Sequence, residues 1–156
     1  MSDQIQITKA TNTDAAAIKQ LIFGILKDYG LKPAPASTDS DLEDIQKHYW
    51  QNKGCFYVLK KDDQIIGSFA LCKINDHLCE LRKMYLNRNF RGRRLGRKMM
   101  EAAFEQAKEL GYKSIMLETA SVLKEAIGLY EKYGFKAYTP DHLSARCDQA
   151  YICKIP

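Results

Sequence analysis

The sequence contains no long hydrophobic run and no pair of closely spaced cysteines. No window approaches about eighteen consecutive apolar residues, and the N-terminal residues lack the basic start and apolar centre of a signal peptide. The five cysteines include no CxxC pair, and the three histidines are scattered without the spacing of metal ligands. These absences argue against a membrane span, a zinc site and a disulfide framework. They favour a cytoplasmic protein without a bound metal or a membrane partner.

Proline is scarce, and the chain has neither an internal repeat nor a low-complexity tract. Two of its four prolines fall in residues 30–41, GLKPAPASTDSD, which we predict to be a loop between two helices. A chain of 156 residues, of which 46% are hydrophobic, is long and apolar enough to form one packed core. We therefore expect a single domain over residues 1–156.

Positive charge is concentrated in one segment of the chain. The net charge is +5, and residues 82–98 contain eight lysines and arginines and no acidic residue. The other residues hold sixteen cations against nineteen acids, so the whole excess of positive charge lies in that segment. This distribution indicates a local anionic partner rather than a generally basic surface.

Hydrophobic periodicity predicts a mixed α/β fold. Strands are predicted at 5–10, 55–60, 65–74, 79–86, 114–119, 135–138 and 150–155, and helices at 13–30, 41–51, 96–111 and 121–134. Thr11 or Thr13 would cap the first helix, and Gly30 would end it. Short turns join the strands between 55 and 86, which indicates an antiparallel meander, whereas the later alternation of strands and helices indicates locally parallel pairing. We expect a mixed sheet with helices on both faces.

Residues 89–100, NFRGRRLGRKMM, join a predicted strand to a predicted helix. Backbone N–H groups at such a turn point outward at the positive end of the helix dipole, where they bind phosphate. Gly92 would allow a backbone conformation closed to other residues or a close approach to an oxygen, and Gly96 would let the helix start pack tightly against the strand. The arginines between these positions would add attraction for a ligand with several phosphates.

The same basic turn has two other interpretations. It is compatible with a solvated surface turn or with contact to nucleic acid. A nucleic-acid module more often interleaves aromatic residues with its cations, and only Tyr85 and Phe90 do so here. We therefore expect no nucleic-acid partner.

Two separated motifs extend the phosphate interpretation. The segment CELRKMYLNRNFRGRRLGRKMM, followed by EAIGLYEKYGF, resembles the GNAT superfamily of acyl-CoA-dependent N-acyltransferases. The signature of that family falls on Arg91 to Gly96. Its downstream residues are matched by Ala126, Leu129, Tyr130, Gly134 and Phe135. The sequence departs from the pattern at Arg94, where a central glycine is most common, and at Leu123, where an asparagine often contacts pantetheine.

The resemblance implies a mostly antiparallel sheet in which a parallel pair of strands, 79–86 and 114–119, is splayed. Acetyl-CoA would lie with its pyrophosphate on residues 91–96 and its pantetheine arm between those strands. The Met84 N–H would stabilise the oxyanion of the tetrahedral intermediate. The residues implied to contact acetyl-CoA are Met84, Leu86, Arg91, Gly92, Arg93, Arg94, Leu95, Gly96, Arg97 and Tyr130.

The implied chemistry is direct attack by an amine on the thioester within a ternary complex. Glu80 occupies a position at which several family members carry a catalytic glutamate, so it is the candidate general base. Alternatively, Glu80 forms an ion pair with Arg82, two residues along the same strand face. Tyr130 matches the general acid of the family; its alternative role is packing within its helix.

The acceptor is expected to be a small primary amine that carries a carboxylate, such as an amino acid. Arg82, Tyr29 and Arg146 are the candidate contacts, because arginine pairs with carboxylates and aromatics line small-molecule sites. Alternatively, Arg146 and Asp148 anchor the last loop. A protein or peptide acceptor, or a non-catalytic acyl-CoA sensor, is also compatible with the sequence. Dimers are frequent in the superfamily, so a homodimer is a further expectation.

Overall fold

The structure is a computed structural model that describes residues 4–34 and 38–156. Within those residues, a sheet has seven strands: Ile5–Lys9 (β1), Cys55–Lys61 (β2), Gln64–Lys73 (β3), Leu78–Leu86 (β4), Ser114–Thr119 (β5), Lys136–Tyr138 (β6) and Gln149–Lys154 (β7). The α-helices are Ala15–Asp28 (α1), Ile45–His48 (α2), Leu95–Glu109 (α3) and Lys124–Lys132 (α4). Part of the loop predicted at 30–41 lies outside the described residues.

The sheet is mixed and mostly antiparallel. Its strand order is β1-β2-β3-β4-β5-β7-β6, and the only parallel neighbours among the described strands are β4 and β5. That pair is in register only from Leu78 opposite Ser114 to Glu80 opposite Met116, although both strands continue beyond it. The predicted fold class, including the splayed parallel pair, is therefore confirmed.

Helices cover both faces of the sheet and build two hydrophobic cores. On one face, Ile18, Ile22 and Leu26 of α1 pack with Phe56 and Val58 of β2. These side chains are fully buried, and burial of each stabilises the fold by about 1.5–3 kcal/mol.

On the other face, α3 packs against the strands that flank the splay. Met99 and Ala103 contact a core that includes Leu81 of β4 and Ile115 of β5. The helical spacing of apolar residues that predicted α3 is therefore the stripe that the sheet buries. This packing holds the first turn of α3 next to the end of β4.

The end of α1 agrees with its prediction, whereas the second helix does not. Gly30 adopts a left-handed φ of 71°, and the N–H of Leu31 donates to the Leu26 carbonyl at 2.8 Å, which closes the C-terminus of α1. The prediction of one helix over 41–51 was wrong. The four-residue α2 is flanked by 3-10 turns at Ser40–Glu43 and Trp50–Asn52.

Local hydrogen bonds explain why the helix predicted at 41–51 is interrupted. They also explain why α4 begins later in the sequence than predicted. Asp44 adopts a non-helical conformation, φ −148° and ψ 83°, and its side chain caps α2 by accepting from the Lys47 N–H at 3.1 Å. The predicted helix at 121–134 begins only at Lys124. The Ser121 N–H and hydroxyl instead donate to Asp148 at 2.8 and 2.7 Å.

A bulge in β4 places two consecutive side chains on the α1 face. Lys83 has a φ of 55°, and the register with β3 shifts between Ser68 and Ala70. The Ser68 hydroxyl donates to the Lys83 carbonyl at 2.6 Å and fixes the bulge. As a result, Arg82 and Lys83 both lie on the α1 face, and Met84 returns to the α3 face, where it packs against that core.

Candidate active site

The separation of β4 from β5 opens a cleft of about 690 Å³. Side chains and backbone from β4, β5, the start of α3, α4 and the end of α1 line it. Its size lies within the roughly 300–1,000 Å³ range of sites that hold cofactor-sized ligands. Because pairing with β5 ends at Glu80, the edge of β4 from Arg82 onward is not paired with β5. Met84 and Leu86 line the cleft along this unpaired stretch.

The basic turn forms a cradle at one end of the cleft. Gly92 has a φ of 79°, and Arg94, the residue before α3, has a φ of 61°. A Cβ at Gly92 would meet no atom within 4 Å, so its conformation, rather than a close contact, is what favours glycine. The first N–H groups of α3 have no partner within the helix, and they follow directly after this turn. The cradle, residues 91–96, therefore offers backbone donors and arginines to an anion.

Gly96 allows a close approach between two helices. A Cβ at this position would lie 3.2 Å from Leu129 Cδ2 on α4. The sequence reasoning expected close packing of the helix start against the strand, and that was wrong. The close neighbour is α4, which also contributes side chains to the lining of the cleft.

A bridge of three side chains, Arg91, Tyr29 and Glu125, connects the cradle to α1 and α4. Arg91 Nη1 donates to the Tyr29 hydroxyl at 2.9 Å, and its guanidinium lies 5.6 Å from the centre of the Tyr29 ring. The Tyr29 hydroxyl donates to Glu125 Oε2 at 3.1 Å. Tyr29 therefore lies at the cradle end of the cleft, beside the residues expected to bind phosphate. Arg93 contacts Phe90, at 5.1 Å from its ring centre.

Glu80 and Arg82 lie side by side in the wall of the cleft. Arg82 Nε donates to Glu80 Oε1 at 2.9 Å, and Glu80 is only 7% exposed. Burial raises the pKa of Glu80 above its ordinary value of 4.5, although the Arg82 charge opposes that shift and Glu118 reinforces it. The ion pair anticipated from the sequence is thus present. A carboxylate with a raised pKa is also better matched to proton abstraction near neutral pH.

Tyr130 projects from α4 into the same cleft and is 5% exposed. Its ring packs edge-on against Phe135 at 5.9 Å. Within residues 4–34 and 38–156, no protein group forms a hydrogen bond with its hydroxyl. Burial raises the pKa of Tyr130 well above its ordinary range, so the phenol keeps its proton. The structure therefore supplies a protonated hydroxyl in the cleft wall.

Arg146 faces the cleft, but its guanidinium is bound to a carboxylate of the protein. Its Nη1 and Nη2 donate to the two oxygens of Asp39 at 2.9 and 3.1 Å. Lys83 Nζ also donates to Asp39 Oδ1, at 2.6 Å, and the Ala34 N–H donates to Oδ2 at 2.8 Å. Burial alone would raise the pKa of Asp39, but these hydrogen bonds outweigh it and hold the pKa well below the usual range. Asp148 separately holds the last loop through Ser121.

Sequence reasoning missed Asp39, Lys83 and Glu118. Asp39 falls in a polar loop without periodicity, and the bulge that turns Lys83 inward has no sequence signal. Glu118 had a signal, because it is an acidic residue within the otherwise apolar strand SIMLET beside the predicted splay. In the structure it lines the cleft, and its Oε1 accepts from the Ser144 N–H at 2.8 Å and from its hydroxyl at 3.0 Å.

Two classes of feature are absent from the part of the chain that the structure describes. No group of three or more histidine, cysteine, aspartate or glutamate side chains has an arrangement that could hold a metal ion. None of the described helices has the length and apolar character that crossing a bilayer requires.

Comparison with known proteins identifies the family. A family model described as the acetyltransferase (GNAT) family matches residues 22–135. The chain is 34% identical over 133 residues to the "uncharacterized N-acetyltransferase YjgM" of Escherichia coli K12, with 82% of this chain and 80% of that protein covered. The chain therefore belongs to the acetyltransferase (GNAT) family, and it is an N-acetyltransferase of the GNAT type.

Solved structures share the fold at low sequence identity. An acetyltransferase of the GNAT family from Staphylococcus aureus Mu50 has a TM-score of 0.91 at 20% identity, with 98% of this chain and 100% of that chain covered. PaiA N-acetyltransferase from Thermoplasma acidophilum, solved in complex with coenzyme A, has a TM-score of 0.74 at 19% identity, with coverage of 97% and 99%. The family resemblance drawn from the sequence, the fold it implied and the acyltransferase class are therefore confirmed.

Proposed function

We propose that the protein transfers an acetyl group from acetyl-CoA to the primary amine of a small amino-acid-like molecule, by direct attack within a ternary complex. The observation that supports this best is that the cradle, Glu80 and Tyr130 all line one cleft between the splayed strands. A phosphate site and two proton-transfer groups thus share one cavity. The coenzyme A complex of PaiA N-acetyltransferase, a structure with the same fold, supports the choice of donor.

The cradle and the unpaired edge of β4 fit the parts of acetyl-CoA. Backbone donors and arginines at the start of α3 suit a pyrophosphate, and the free edge of β4 offers backbone groups to the amides of the pantetheine arm. The bound donor supplies an acyl group activated as a thioester. The proposed contacts are Met84, Leu86, Arg91, Gly92, Arg93, Arg94, Leu95, Gly96, Arg97 and Tyr130. Among them, the Met84 N–H is proposed to stabilise the oxyanion.

Glu80 and Tyr130 are proposed to move the protons. An ammonium has no lone pair, so Glu80 removes one proton from the acceptor before its nitrogen forms the new C–N bond. The C–S bond then breaks, the Tyr130 hydroxyl donates a proton to the departing sulfur, and the second proton of the attacking nitrogen passes to the resulting tyrosinate. Glu80 returns its proton to solvent. Burial keeps Tyr130 protonated, so its hydroxyl has a proton to donate when negative charge develops on the sulfur. These are side-chain roles in a direct transfer that involves no covalent enzyme intermediate.

The acceptor end of the cleft supports an amine that also carries an anionic group. Arg82 is 39% exposed at its side chain and is the candidate cation nearest the proposed base. Arg146 would have to exchange its contact with Asp39 to bind a substrate, and Tyr29 lies beside the cradle. We therefore assign the main carboxylate contact to Arg82, with Arg146 as an outer contact, and we do not assign Tyr29, at the cradle end of the cleft, to the acceptor. The partner is a small molecule rather than nucleic acid.

Calorimetry and a thiol-release screen test the proposal together. Acetyl-CoA should bind saturably, and duplex DNA should not compete at low or high salt. The acceptor panel contains the twenty L-amino acids, their carboxamides, spermidine and a short peptide with a free N-terminus, with release of free thiol as the readout. Turnover should be greatest for an L-amino acid. Failure to bind acetyl-CoA would overturn the proposal.

Two other outcomes would point to the rival functions. Tight acetyl-CoA binding without turnover of any amine would favour a sensor. Turnover confined to the peptide would favour a peptide N-acetyltransferase. The carboxamides serve as matched controls, because they retain the amine and lack only the negative charge.

A further inference from the structure

Glu80 and Glu118 lie on the same face of the sheet, on opposite sides of the splay. Glu80 pairs with Met116, and Glu118 follows two residues later on β5, so its side chain points to the same face as Met116. Leu117, which lies between Met116 and Glu118 on β5, points to the opposite face and is buried in the core against α3. Glu118 therefore lies where the strands have already separated, and both carboxylates line the cleft.

One oxygen of Glu118 is held by the protein, and the other is available. Ser144 directs its N–H and its hydroxyl to Oε1. Oε2 has no hydrogen-bond or ion-pair partner among the residues that the structure describes. The carboxylate is thus fixed in orientation by the loop before β7, with one oxygen left for a ligand. Fixed orientation reduces the entropy that a ligand contact has to overcome.

Glu118 also differs from the buried acids of the cleft because no lysine or arginine among the described residues forms an ion pair with it. Glu80 pairs with Arg82, and Asp39 and Asp41 lie within 4.0 Å of Lys83 Nζ. For Glu118, no such pair exists among the described residues. A carboxylate in the wall of a cleft that no protein cation pairs with can form a charge-assisted hydrogen bond to a cation on a ligand. The missing charge is that of an ammonium group, which is the reactive group of the proposed acceptor.

We propose that Glu118 binds the ammonium of the acceptor and presents it to Glu80, which makes Glu118 a specificity-determining residue. This inference rests on the proposed function. One proton passes from the ammonium to Glu80. The neutral amine stays hydrogen-bonded to Glu118 while its lone pair attacks the acyl carbon. Arg82 is also two residues beyond the last paired position, on the opposite strand, where it can take the anionic group of the same molecule.

The variant Glu118→Gln tests this role because its amide oxygen can still accept both bonds from Ser144. It removes the charge and keeps the loop anchor. The probe is the member of the acceptor panel with the highest kcat/KM for the unmodified protein. We expect its KM to rise about tenfold, the loss of one charge-assisted hydrogen bond, and kcat to change by less than about threefold. The Kd of acetyl-CoA should be unchanged. The KM of the carboxamide of the same probe should rise by the same factor as the KM of the probe.

Three comparisons separate this role from others. Ser144→Ala removes the hydroxyl bond to Glu118 Oε1 but keeps the backbone N–H bond and the charge, so it should change KM by less than Glu118→Gln does. Glu131→Gln changes an exposed charge on α4 outside the cleft and should leave KM and kcat unaltered. Arg82→Ala should raise KM for the amino acid more than for its carboxamide. This last comparison distinguishes binding of the anionic group from binding of the ammonium.

Each result has a defined meaning. An unchanged KM in Glu118→Gln would overturn the role of Glu118 and leave the proposed function intact. A large fall in kcat at unchanged KM, or equal effects of Glu118→Gln and Ser144→Ala, would also overturn it, because these indicate a chemical or a structural role. If the unmodified protein binds no acetyl-CoA or acetylates no amine, the proposed function fails, and this inference fails with it.

Discussion

The two carboxylate oxygens of Asp39 accept hydrogen bonds from Nη1 and Nη2 of Arg146. This contact connects the segment before α2 to the loop before β7. Asp39 is 1% exposed, and its other cation, Lys83, comes from the bulge of β4. One buried carboxylate therefore joins three separate segments around the acceptor end of the cleft. Removal of it would leave two cations without their shared partner.

We predict that Asp39→Ala lowers the free energy of unfolding by about 3–5 kcal/mol, the typical cost of removing one partner from a buried ion pair. Arg146 would lose its carboxylate, and Lys83 would keep only Asp41. Urea denaturation provides the measurement. Glu43→Ala is the matched control, because Glu43 is also an acid near α2 but pairs with Lys19 at the surface. That change should cost no more than about 1 kcal/mol. Equal losses in the two variants would contradict the role of Asp39 as the junction.

The contribution of Asp39 should also depend on pH with a defined sign. The pKa of Asp39 is lowered in the folded protein relative to its ordinary value of 3.8. A lowered folded pKa means that the unfolded chain binds the proton more readily. The stabilisation is therefore complete above about pH 5 and declines as pH falls through the folded pKa. The stability difference between the unmodified protein and Asp39→Ala should shrink below about pH 4, and a constant difference would contradict this assignment.

The pH dependence of turnover should report the surroundings of Glu80. Burial raises the pKa of Glu80 from 4.5, the cation of Arg82 lowers it, and the anion of Glu118 raises it. If Glu80 is the base, kcat measured at saturating acceptor should fall on the acidic side at a pH above 4.5. Arg82→Gln removes the opposing cation, so the acidic limb should move to higher pH. Glu118→Gln removes the reinforcing anion, so the limb should move to lower pH.

Arg82→Lys is the control for this pair of shifts. It keeps a positive charge next to Glu80 but loses the guanidinium geometry. Its acidic limb should stay closer to that of the unmodified protein than the limb of Arg82→Gln does. Shifts of Arg82→Gln and Glu118→Gln in the same direction would show that a group other than Glu80 controls the limb.

Tyr130→Phe should separate proton donation from packing. Phenylalanine keeps the edge contact with Phe135, and it removes only a hydroxyl that makes no hydrogen bond to the described residues. We predict a fall in kcat of about a hundredfold, within the usual contribution of a general acid, with the Kd of acetyl-CoA nearly unchanged. Because burial raises the pKa of Tyr130, the unmodified enzyme should show no alkaline limb from this group below about pH 10. An unchanged kcat would assign Tyr130 to packing alone.

Sequence patterns predicted the parts of this fold that local spacing controls. The apolar stripe of α3, the left-handed stop at Gly30 and the meander of β2, β3 and β4 follow from periodicity and turn residues. The splay was implied only by the resemblance of two motifs to the GNAT superfamily. The interrupted helix around α2 was not predictable in this way, because its composition is helical and the interruption depends on the Asp44 cap.

Only some residues of the site could be predicted from the sequence, because the others are placed by a bulge and by a contact between distant segments. The ion pair of Glu80 and Arg82 could be predicted, because side chains two residues apart on a strand lie on the same face. Lys83 could not be placed, because a bulge reverses the alternation that such counting uses. The contact of Arg146 with Asp39 joins residues 107 positions apart, and no local rule specifies that contact. Arg146 was therefore expected to be available to substrate, although the fold supplies it with a carboxylate.

The last prediction concerns Arg94, which adopts a φ of 61° at the start of α3. A left-handed conformation costs a residue with a side chain about 1–2 kcal/mol, and glycine adopts it without that cost. Arg94→Gly should therefore raise the free energy of unfolding relative to Arg94→Ala, by about 1 kcal/mol in urea denaturation. Both variants remove the same charge, so they should weaken acetyl-CoA binding equally at low salt and differ little from the unmodified protein at high salt. If Arg94→Gly were the less stable of the two, the left-handed turn would not be what positions the N–H groups of α3. If the two variants bound acetyl-CoA with very different affinities, the Arg94 charge would not be its main contribution to the cradle.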